Sequence, residues 1–165
     1  MPAPHVDKAA VLDALRIRVE RSLAQLRDAQ RGAQARATHT EARPEHAKDT
    51  RAIEGSYLAR GLAERVETQH DAVAVLRAVA LTSFGPDDTV GLTALVGVRD
   101  EDDVESVYFI APVGGGERLA VDGTDVLVLT PRSPLGAALV GRRARDEIEV
   151  TLRGHRRSAL ITWLA

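Results

Sequence analysis

The sequence predicts an α+β protein: a long N-terminal antiparallel helical hairpin, built as a coiled coil, followed by a small antiparallel β domain with one short helix. Three observations predict it. Two long stretches carry apolar residues at alternating steps of three and four, the pattern of a coiled-coil seam. After Phe84-Gly85-Pro86-Asp87-Asp88 the pattern changes to short strand-like runs separated by turns. Among those runs, Val126 to Leu129 stops at a rigid turn, and a short helix opens at Ser133 and closes at Gly141. Ser133 suits the N-cap, Pro134 the first helical position and Gly141 the helix end.

The first helix is predicted from about Asp7 to Thr38, with Leu12, Leu15, Val19, Ser22, Leu26, Ala29 and Ala33 along its seam. Arg16, Arg18, Glu20, Arg21, Gln25, Arg27 and Asp28 fill much of the remainder, so the apolar stripe is narrow. The second helix is predicted from about Thr50 to Thr82, with Leu58, Leu62, Val66, Gln69, Val73, Leu76 and Ala80 facing the first. Each arm spans roughly 45 Å at 1.5 Å per residue, and an isolated helix is marginal in water, so burial of the seam must hold the pair together. The tip falls near residues 38–54, where Pro44 marks a break. This divides the chain into a hairpin at 1–82 and a β domain at 83–165.

In the second part Val90 to Val98 and Val104 to Val113 read as strands around the acidic turn Arg99 to Asp103. Short strands follow at Arg118 to Val121 and Asp125 to Leu129, then the Pro134–Val140 helix, then strands at Ile148 to Leu152 and Ala159 to Leu164. One helix over a small twisted sheet gives each apolar face a partner.

Composition narrows the chemistry. Apolar residues make up 44% but aromatics only 3%, which suits a slender hairpin beside a compact domain. The chain has no cysteine, which removes disulfides, thiolate catalysis and thiolate metal sites. Its five histidines are scattered without zinc spacing. A formal charge of -2 argues against a broadly basic nucleic-acid surface. No apolar run approaches the ~18 residues of a membrane span, and no signal peptide is read at the start, so a soluble cytoplasmic monomer is expected. Gly114-Gly115-Gly116 is a turn rather than a P-loop, since no Gly-Lys-Ser or Gly-Lys-Thr follows. No nucleophile–base set or cofactor motif suggests a self-contained enzyme.

The C-terminal half carries Tyr108-Phe109-Ile110-Ala111-Pro112, the triple-glycine turn, Val126-Leu127-Val128-Leu129, the run Ser133-Pro134-Leu135-Gly136-Ala137-Ala138-Leu139-Val140-Gly141, and Asp146-Glu147-Ile148-Glu149-Val150. In this order the segments resemble the Gre family of bacterial transcription elongation and transcript-cleavage factors. The likeness extends over nearly the whole chain, as a divergent member. It implies an FKBP-like β domain, without prolyl isomerase activity, that docks at the rim of the RNA polymerase secondary channel while the coiled coil enters it. Pro131, Arg132, Ser133, Pro134, Leu135 and Gly136 would then belong to the docking region, and Arg51 and Arg60 would touch polymerase from the hairpin.

The N-terminal likeness centres on Asp49-Thr50-Arg51-Ala52-Ile53-Glu54-Gly55-Ser56-Tyr57-Leu58-Ala59-Arg60. In cleavage-competent relatives, acids at the tip help hold a magnesium ion of the polymerase and orient water against backtracked RNA. Carboxylates are hard oxygen ligands suited to that ion, and a metal pair activates the attacking oxygen while stabilising phosphate charge. The resemblance therefore implies no intrinsic cofactor, and polymerase-bound magnesium where cleavage occurs. The expected acidic pair is altered here. Ala52 stands three residues after Asp49, and Glu54, five residues after it, lies roughly 140° around a continuous helix. Aligning on Tyr57 instead brings Thr50 and Ile53 to the two acidic positions. Glu45 and Asp49 share a face at i,i+4 if Pro44 starts the helix.

Asp49 is the first candidate metal ligand and catalytic residue, with Glu45 and Glu54 behind it. The plain alternative for all three is solvent-facing charge softened by Arg43, Lys48 and Arg51. For Pro131, Pro134 and Gly136 it is a fixed turn with close helix packing. Arg132, Arg142, Arg143 and Arg145 form a basic cluster suited to an acidic protein surface, a phosphate backbone or plain solvation. Three functions compete: a polymerase channel factor that assists cleavage and contacts backtracked RNA, a non-cleaving regulator that occludes the channel, and a coiled-coil adaptor unrelated to polymerase.

Overall fold

The computed structural model describes residues 6–41, 50–85, 87–152 and 155–165. Two long helices, α1 (Lys8–Glu41) and α2 (Thr50–Ala78), precede strands β1 (Leu95–Asp100), β2 (Glu105–Ile110), β3 (Arg118–Val121) and β4 (Thr124–Leu129). The short helix α3 (Pro134–Leu139) follows, then β5 (Glu147–Leu152) and β6 (His155–Leu164). The chain divides into two compact units, one made of Met1–Arg16 with Val75–Ala165 and the other of Ile17–Ala74. The first and last turns of the hairpin thus belong with the sheet. No described helix is long and apolar enough to cross a membrane.

In the unit spanning Ile17–Ala74, Val19, Leu23, Ala33 and Val73 are buried, and Leu26, Leu62 and Val66 are half-buried. Within this unit the seam departs from the expected pattern at three positions. Leu23 is buried where Ser22 was expected, because its larger apolar side chain lies four residues after Val19. Ala29 is exposed, and Leu58 is 57% exposed. Gln69, the polar member of the predicted seam, donates from Nε2 to the Val19 carbonyl at 3.2 Å.

In the other unit, the six strands form one sheet in the order β3-β4-β2-β1-β6-β5. The sequence predicts an antiparallel sheet, and every neighbouring pair but one is antiparallel; β2 and β4 run parallel. The reason is the crossover after β2. The chain passes to the sheet edge as β3, turns at Asp122-Gly123, and folds back as β4 between β3 and β2. Both turn residues have positive φ, 51° and 76°, which a tight two-residue hairpin of this type requires.

Residues 90–94 are not strand as expected. Val90 instead donates to the Arg142 carbonyl at 2.7 Å and accepts from the Gly141 amide at 2.8 Å, tying this segment to the end of α3. Thr93 then turns the chain into β1 with a φ of 67°, unusual for a β-branched residue. It is 2% exposed, its amide donates to the Ile110 carbonyl at 2.7 Å, and its Oγ1 accepts from the Thr82 amide at 2.9 Å.

The two sheet faces are both apolar. On one, Val96, Val98, Ile110, Leu129, Ile148 and Ile161 pack with Leu139 of α3. On the other, cross-strand neighbours Leu95 and Phe109, and Phe109 and Val128, are buried. Val11, Leu12 and Leu15 in the first turns of α1 are buried in the same unit, and Leu15 presses on Gly114. Burying each such side chain contributes roughly 1.5–3 kcal/mol.

Further along this second face, the Trp163 indole lies flat on Gly97, where a Cβ would come within 2.1 Å of its Nε1. Gly97→Ala is expected to displace the ring and to cost about 1–3 kcal/mol, the usual range for overpacking. Trp163 fluorescence together with a denaturant titration reads both effects. An unchanged spectrum and midpoint would show that the strand accommodates a side chain there.

Candidate functional site

The turn from Thr130 to Gly141 is built by backbone constraint. Ser133 has extended φ and ψ (-68° and 151°), its Oγ accepts from the Gly136 amide at 3.1 Å, and its hydroxyl donates to the Thr130 carbonyl at 2.8 Å. Pro134 follows at the first helical position. Gly136 is buried, and a Cβ on it would lie 2.0 Å from the Thr130 carbonyl oxygen. The helix ends with the Val140 amide bonded to the Gly136 carbonyl at 2.9 Å and with Gly141 at φ 82°. Leu139 enters the core, and Leu135 and Ala138 pack beside it.

Within the predicted docking region, Arg132 and Pro134 face solvent. Pro131, Ser133 and Leu135 are half-buried, and Gly136 is inside. Val140 is 40% exposed, and Arg142, Arg143 and Arg145 are exposed after it. The element is a short rigid platform carrying a proline ring, an aliphatic side chain and guanidinium groups.

The tip candidates are less fully placed. Asp49 and Glu45 lie outside the described residues. Arg51 is in the first turn of α2, and its side chain also lies outside the described ones. Glu54 and Arg60 are exposed on α2 in the Ile17–Ala74 unit, as is Tyr57 at 69%. Among the described residues no group of three or more His, Asp or Glu side chains is placed to hold a metal.

No protein-family model matches the chain, and no curated protein matches it. Several solved structures are similar to it. GreA factor homolog 1 (Gfh1) of Thermus thermophilus is 16% identical over 92% of this chain and 95% of its own, with a TM-score of 0.38. Gfh1 of Thermus aquaticus is 17% identical over 92% and 94%, with the same TM-score of 0.38. A GreA/GreB elongation factor from Nitrosomonas europaea is 21% identical over 62% of this chain and 91% of its own, with a TM-score of 0.38.

A second polar cluster escapes sequence reasoning altogether. Glu105 accepts from Trp163 Nε1 at 2.8 Å, from Thr162 Oγ1 at 3.3 Å and from Arg99 at 3.3 Å. The indole hydrogen bond is the largest effect and lowers its carboxyl from the ordinary glutamate value of 4.5; burial opposes it, and the Arg99 and Thr162 hydrogen bonds and the Arg99 charge lower it further. Trp163 and Glu105 are 58 residues apart, so no local spacing announces the contact. The Asp122-Gly123 dipeptide, by contrast, is a readable hairpin signal.

Two predictions follow from these geometries. Ser133→Ala is expected to cost about 1 kcal/mol through loss of the cap, and Gly136→Ala more, because its Cβ meets backbone rather than a movable side chain. Thermal unfolding of the two variants checks the order. For Glu105 the lowered folded pKa means its stabilising effect is present above the ordinary carboxylate range and is lost as pH falls through the folded value. Acid titration followed by Trp163 fluorescence is expected to show that transition in the wild type and not in Glu105→Gln.

Proposed function

We propose that this protein is a bacterial RNA polymerase secondary-channel factor that regulates transcription by occupying the channel rather than by assisting RNA cleavage. The observation that carries the reading is the union, in one chain, of helices of 34 and 29 residues with the Ser133–Gly141 element on its sheet. The ordered C-terminal segments that resemble the Gre family support docking at the channel rim. The tip sequence supports the non-cleaving form, because neither alignment register retains the acidic pair.

A second reading has one feature in its favour. Glu45 and Asp49 at i,i+4 supply two carboxylates by another route, and Asp49 would then hold the polymerase's magnesium beside backtracked RNA, with Glu54 further along. Magnesium takes few protein carboxylates and keeps several waters, so even one correctly placed acid has a role to play in such a site.

Purified backtracked elongation complexes with magnesium separate the readings, using wild-type protein and Asp49→Ala with direct binding to core polymerase measured in parallel. Channel occupation predicts binding, no stimulated RNA release, and an unchanged transcriptional effect for Asp49→Ala. Release that is stimulated by the wild type and lost in the variant would establish the cleaving form instead. Failure to bind core polymerase at modest ionic strength would remove both.

A further inference from the structure

The exit of α2 is held by cations from the start of α1. Helix α2 ends at Ala78, short of the Thr82 expected from the sequence, and leaves carbonyls that no further helical turn can satisfy. Arg16 takes two of them, donating from Nε to Leu76 at 3.0 Å and from Nη2 to Val79 at 3.2 Å. Lys8, two turns earlier on α1, donates from Nζ to the Thr82 carbonyl at 2.6 Å and sits 4.8 Å from the centre of the Phe84 ring. The Thr82 amide in turn bonds to Oγ1 of Thr93, the buried residue with positive φ that opens β1. Phe84 packs against the sheet core. All of these residues belong to the unit that contains the sheet.

A glycine at the helix end would have terminated α2 locally. This chain uses side chains 60 to 74 residues away in sequence. Both Lys8 contacts depend on its charge: the hydrogen bond is charge-assisted and the ring contact is a cation–π interaction. Partial desolvation lowers the Lys8 pKa, consistent with an amine drawn into the contact rather than left in water. The strained Thr93 is held from two sides, by the Ile110 carbonyl and by the Thr82 amide. Strain of this kind persists where surrounding contacts over-determine the backbone.

We propose that Lys8 and Arg16, with Thr93 as their seat on the sheet, are positioning residues that clasp the exit of α2, and that occupation of the channel depends on this clasp. The proposal rests on the channel-binding function above. Docking and occlusion then have separate determinants: the α3 platform holds the polymerase, and the clasp keeps the hairpin base fixed while it does so.

The test uses full-length protein and measures two quantities separately, affinity for core polymerase and the degree of transcription inhibition at saturating protein. Lys8→Met keeps the aliphatic stem and removes the charge, and Lys8→Arg restores it. Lys8→Met is expected to bind with unchanged affinity and to lose most of its inhibition at saturation, with Lys8→Arg close to wild type. Hydrogen exchange at the Thr82 amide is expected to accelerate in Lys8→Met alone. Equal inhibition by Lys8→Met and wild type would overturn the proposal, as would parallel loss of affinity and inhibition. A wild-type protein that does not bind polymerase would instead overturn the function on which it rests, whatever the Thr82 exchange.

Discussion

A six-stranded sheet with apolar side chains on both faces has to be covered twice, and among the described residues one short helix follows the hairpin. Helix α3 covers the face of Val96, Ile110 and Ile161. In the same compact unit as the other face, with Leu95, Phe109 and Val128, the hairpin base buries Val11, Leu12, Leu15 and Leu76. The consequence is architectural. The first turns of α1 and the end of α2 belong to the same compact unit as the sheet, so the hairpin base is part of that unit rather than of the Ile17–Ala74 unit. Large-to-small changes in cores of this kind cost about 2–5 kcal/mol, a large share of the net stability of a small domain.

Close backbone approach sets the remaining geometry, and its legibility depended on range. Ser133, Pro134 and Gly141 were readable because a helix start and a helix end are local chemistry. The run around Gly136 could be marked as tight for the same reason. Gly97 could not, because nothing in its neighbourhood tells that Trp163 will lie on it. The parallel pairing of β2 with β4 was equally hidden. Each strand was visible in the sequence, but the order in which a crossover inserts them is decided by which faces must be covered.

The helices show the same division. Their existence followed from periodicity, whereas seam membership did not, since Leu23 displaced Ser22 and Leu58 stayed exposed. An alternation of three and four leaves adjacent positions nearly equivalent, and side-chain volume decides between them. The end of α2 at Ala78 was unreadable for a stronger reason. Arg16, which the sequence places among the charged residues filling the helix surface, bonds the Leu76 carbonyl, and Lys8 bonds the Thr82 carbonyl beyond the helix end. At the candidate site, the start of α3 at Pro134 was legible, and its end falls at Leu139, one residue before the expected Val140. The surface status of its members was not, because Arg132 and Pro134 point outward while their neighbours sit within the same turn.

The two proposed functions make different demands on such a molecule. Assisted cleavage requires carboxylates held close to an ideal geometry around magnesium, and small displacements from that geometry carry large penalties in rate. Occupation of a channel requires only a stiff body of the right length, held at its base. Two paired helices satisfy the second demand through their seam and end contacts, irrespective of which residues stand at the tip. On the occlusion reading the identity of the tip residues matters little, whereas a hairpin without a fixed base would serve neither purpose. Selection for occlusion would act on Lys8, Arg16, Thr93 and the α3 platform, and would leave residues such as Ala52 free to differ. The contacts of Lys8, Arg16 and Thr93 at the base are the ones that the proposed occupation calls on.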